Sequence, residues 1–75
     1  MLVRMVVRDA ERIRAVEEAI AGLKAELLTV GVLLPSVRVD PVSAAGESPY
    51  PLVDLGCVNL DTAMRLTAVL HEVRR

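Results

Sequence analysis

Residues 2–8 alternate with a period of two. Val3, Met5 and Val7 fall on one side, and Leu2, Arg4, Val6 and Arg8 on the other. The first set is wholly apolar, so the segment is predicted to be a strand with that side on a core. The period then changes. Ile13, Val16, Ile20, Leu23 and Leu27 recur at intervals of three and four, which is one apolar stripe of a helix. Arg14, Glu17, Glu18 and Lys24 occupy the opposite face. Asp9 is suited to the N-cap of this helix, and Gly31 to its C-terminal stop.

Ser36-Val37-Arg38-Val39-Asp40 alternates again between Pro35 and Pro41. Proline at both ends suits a short edge strand. Residues 41–51 hold three of the four prolines, two serines and a glycine, the composition of a flexible loop. Leu52-Val53-Asp54-Leu55-Gly56-Cys57-Val58 is the most apolar run and is predicted to be the central strand. Asn59 or Asp61 caps a second helix. Its expected inward stripe is Ala63, Leu66, Leu70 and Val73, with Leu60 and Met64 beside it. His71, Arg74 and Arg75 lie in its last turn, where positive charge suits the helix dipole.

The expected order is β-α-β-β-α, and a strand, helix and second strand imply a right-handed crossover. The fold class that follows is α+β: a two-layer sandwich with a three-stranded mixed sheet of order 1-3-2 and two helices on one face. This order resembles the first five elements of a ferredoxin-like fold without its final strand. The likeness is one of element order and says nothing about function. In such a sheet the first strand has an unpaired edge. The uncovered sheet face shows Leu2, Val6 and Val58 among Arg4, Arg8, Arg38, Asp40 and Asp54.

Size and composition turn that open face into an expectation about partners. A chain of 75 residues is a single domain, and one this short removes only about 60% of its unfolded surface from water. Small domains usually add disulfides, a metal or a partner. Cys57 is the sole cysteine and His71 the sole histidine, so neither an intrachain disulfide nor a closed zinc site is expected, and no cofactor signature is present. A partner remains. The hydrophobic share is 53%, with no Phe or Trp and Tyr50 as the lone aromatic. Surplus aliphatic surface of this kind is buried against another molecule. The expected interface is Leu2, Arg4, Val6, Arg8 and Val58, with Arg38, Asp54 and Tyr50 as further ligand or partner contacts.

A net charge of −1 argues against nucleic acid, which needs a concentrated positive field. The sequence has no apolar run of about 18 residues, so no membrane span is expected, and residues 1–8 do not follow a signal-peptide pattern. The cytoplasm is the expected compartment.

Candidate chemistry is sparse. Cys57 is in phase with Val53 and Leu55 and is expected to be a small buried apolar residue rather than a nucleophile. His71 has no nucleophile or orienting group at a telling spacing and is expected at the surface. Asp54 can form a cross-strand ion pair with Arg4, Arg8 or Arg38. Gly56 marks a bulge or the close approach of another backbone. There is no glycine-rich phosphate loop and no GXXG clamp. The expected function is a small non-enzymatic protein-interaction or assembly module, acting as a homo-oligomer or accessory subunit. The alternative is a small-molecule-sensing regulatory domain, with Arg4, Arg38 and Asp54 holding a ligand at a dimer interface.

Overall fold

The computed structural model describes residues 2–46 and 49–74, with side chains described from residue 10 onward. The first element is a single long helix, α1 (Leu2–Thr29). The strand expected over residues 2–8 is therefore helical, and Asp9 lies inside the helix rather than at its cap. The physical reason is hydrogen bonding. An isolated strand leaves its N–H and C=O groups without partners, whereas a helix satisfies them within the segment. No proline precedes Pro35 and no glycine precedes Gly22, so nothing interrupts the ladder.

Gly31 ends α1 as its position predicts. Its φ is +80°, in the left-handed region that glycine enters at no steric cost. The Gly31 N–H donates to the Leu28 carbonyl at 3.1 Å, and the Val32 N–H donates to the Leu27 carbonyl at 2.9 Å. Together these form a Schellman cap, which satisfies helix-end carbonyls and normally brings an apolar contact with it. Here the apolar residue is Val32, fully buried. The cap turns the chain back on itself. Among the described residues the buried large apolar side chains are Val16, Ile20, Val32 and Leu34. Pro51 is buried as well.

Two short strands follow, β1 (Arg38–Val39) and β2 (Val53–Asp54). They pair antiparallel, with Arg38 opposite Asp54 and Val39 opposite Val53. The sheet has two strands, which overturns the three-stranded sheet of order 1-3-2 and with it the ferredoxin-like sandwich. The antiparallel pairing of the two later segments does form. Each strand is two residues long because Pro41 cannot donate to a ladder on one side and Gly56 bends the chain on the other. Gly56 has φ +77°, and a Cβ there would lie 2.7 Å from the Ser36 Cβ and 3.0 Å from the Ser36 carbonyl carbon and oxygen. The close backbone approach expected at Gly56 is thus to this chain's own Ser36.

The connection begins as a helical turn, α2 (Pro41–Ala44), where a loop was expected. Asp40 is its N-cap and Pro41 takes the first helical position, where the missing N–H costs nothing. The Ser43 N–H donates to Asp40 Oδ2 at 2.9 Å, and the Ser43 hydroxyl donates to the Asp40 carbonyl at 3.1 Å. The Leu52 N–H donates to the Ser43 hydroxyl at 2.7 Å, and the Asp40 N–H to the Leu52 carbonyl at 2.9 Å. Farther along, Arg12 Nε donates to the Pro49 carbonyl at 2.9 Å and ties this region to α1.

The last element is α3 (Leu60–Arg74). Asn59 caps it, accepting the Thr62 N–H on Oδ1 at 2.8 Å. Asp61 and Arg65 pair across one turn at 2.9 Å. The molecule measures 50 × 21 × 18 Å with a radius of gyration of 15.4 Å, against about 11 Å for a compact domain of this length.

Candidate functional site

Its exposed surface is the largest anomaly in the molecule. The accessible area is 6192 Å², whereas a folded monomer of this mass exposes about 4,500 Å². The excess is about 1,700 Å². A fully unfolded chain of the same mass would expose about 11,700 Å², so folding buries about 47% rather than about 60%.

Exposed large apolar side chains are spread along the described chain, and four of them, Leu60, Met64, Leu70 and Val73, lie on α3. With 3.6 residues per turn, Leu60, Ala63, Met64, Thr67, Leu70, His71 and Arg74 fall within about 120° of arc, and every one of them is exposed. Leu60 is 76% exposed, Met64 62% and Leu70 56%. An open hollow of about 900 Å³ lies beside the C-terminal half of α3. Among the described residues it is lined by Met64, Thr67, Ala68, Leu70, His71 and Val73, with Glu72 and Arg74 also bordering it. The charged residues Asp61 and Arg65 lie on the far side of the helix and satisfy each other.

The half-buried side of α3 carries Thr62, Leu66 and Val69. Relative to the stripe read from the sequence, the helix is rotated by about 50°. Ala63, Leu70 and Val73, expected inward, are exposed. The signal that could have located the open face is the breadth of the apolar arc. Large apolar residues lie on both sides of α3, Leu66, Val69 and Val73 on one and Leu60, Met64 and Leu70 on the other, and a helix apolar on more than one face has more than one neighbour.

The residues singled out from the sequence are dispersed. The backbone of Leu2, Arg4, Val6 and Arg8 is helical, so the strand face that grouped them does not exist, and their side chains lie outside the described ones. Val58 is 38% exposed and Tyr50 62%. Arg38 and Asp54 meet across the ladder at 3.4 Å. Asp54 also accepts the Gly56 N–H at 2.8 Å on its other oxygen. Both groups are thus engaged with their own chain. Cys57 is exposed, not buried. It follows the positive-φ Gly56 in an irregular segment, and the strand alternation that placed it inward is broken there. His71 is exposed at the end of α3, as expected.

Among the described residues, no three His, Cys, Asp or Glu side chains gather into a group able to hold a metal ion, and no helix is long and apolar enough to cross a membrane. Among the described residues, Asp40 is the titratable group held away from its ordinary pKa. The Ser43 backbone N–H, and then the Ser43 hydroxyl, stabilise its carboxylate and hold its pKa below the ordinary value. That role is structural, because it fastens α2. Comparison with known proteins gives no match: no family model, no curated protein and no solved structure is similar to this chain.

Proposed function

We propose that the chain is a small non-enzymatic protein-interaction or assembly module, acting as a homo-oligomer or as an accessory subunit. The observation that carries this reading is the surplus of about 1,700 Å² over a compact monomer, together with the uncovered apolar arc of α3. A standard interface removes about 800 Å² from each partner, and obligate interfaces remove about 1,000–2,500 Å². The surplus falls in the obligate range. Among the described residues four large apolar side chains are buried, and a partner surface would add to that core.

The test is absolute mass by light scattering over a hundredfold range of concentration, paired with thermal melts. The module reading expects a mass above 8.1 kDa and a melting temperature that rises with concentration, because a partner bound to the folded state stabilises it by mass action. A poorly cooperative melt of the isolated chain is the form expected of an accessory subunit. A particle of 8.1 kDa that melts cooperatively at one temperature throughout the range refutes the reading.

A further inference from the structure

We draw no further inference here: the strongest candidate, the exposed and largely apolar face of α3 with the open hollow beside its C-terminal half, carries nothing because nothing in the structure shows what covers it.

Discussion

Three glycine-to-alanine substitutions separate the physical constraints that shape this chain, and Gly56→Ala is the informative one. At Gly56 the alanine meets two penalties. Holding an L-residue in the left-handed region costs about 1–2 kcal/mol, and φ there is +77°. The added Cβ also lies 2.7 Å from the Ser36 Cβ, with Ser36 backbone atoms at 3.0 Å. Relieving an overpacked contact of that kind costs about 1–3 kcal/mol. The expected loss is about 2–5 kcal/mol, from a chain of 75 residues whose whole stability is of order 4–11 kcal/mol. Gly31→Ala isolates the first penalty. Its φ is +80°, and the nearest atom to an added Cβ is Arg65 Nη1 at 3.9 Å, so about 1–2 kcal/mol is expected. Gly22→Ala isolates helix propensity. Nothing lies within 4 Å, and a gain of about 0.5–1 kcal/mol is expected. The assay is urea unfolding followed by circular dichroism, with all variants at one protein concentration because assembly shifts apparent stability. A Gly56→Ala chain that loses no more than Gly31→Ala would refute the close packing of Ser36 on Gly56.

Other substitutions test the caps and the core. Asn59→Ala removes the acceptor for the Thr62 N–H and should cost about 1 kcal/mol, with the loss of ellipticity confined to one helix. Val32→Ala empties a fully buried site and should cost about 2 kcal/mol or more, from two lost methyl groups and the cavity they leave. The lowered pKa of Asp40 makes folding pH-dependent on the acid side. Its contribution is complete above the unfolded carboxylate value of about 4 and is lost as pH falls through the lower folded value. Asp40→Asn keeps a good N-cap and should flatten the acid limb of the urea midpoint plotted against pH; an unchanged limb would place the dependence elsewhere.

Several elements can be read from residue pattern alone, because each is settled by its nearest neighbours. Val16 and Ile20 sit in the middle of a stripe spaced by three and four and are buried. Gly31 takes the left-handed cap, Asn59 takes the N-cap, and Arg38 pairs with Asp54. What pattern could not settle depends on distant parts of the chain. In residues 2–8, Leu2 and Val6, like Val3 and Val7, are four apart, so helix and strand periods both fit. A strand needs a neighbouring strand, and the only sheet described has two members of two residues each. At Cys57 the alternation counted from Val53 fails because Gly56 departs from extended backbone. On α3 the apolar positions are plain in the sequence, but which of them face inward is decided by the angle at which the helix leaves the hairpin. The side carrying Thr62, Leu66 and Val69 is the one half-covered.

The two-rung ladder has a consequence for the order of events in time. Its paired residues are 16 positions apart at one rung, Arg38 to Asp54, and 14 at the other, Val39 to Val53, while each helix closes within a turn. Contacts so local form quickly, and helical domains of low contact order fold in microseconds to milliseconds. Docking of two chains is instead concentration-dependent and takes milliseconds to minutes. On the homo-oligomer reading proposed above, each new molecule would reach its helical form with apolar surface still facing water and would wait there for a second one. The length of that wait falls as concentration rises, and during it pairing competes with indiscriminate aggregation. On that reading, refolding yield after dilution from urea should depend on the speed of pairing far more than on the speed of folding.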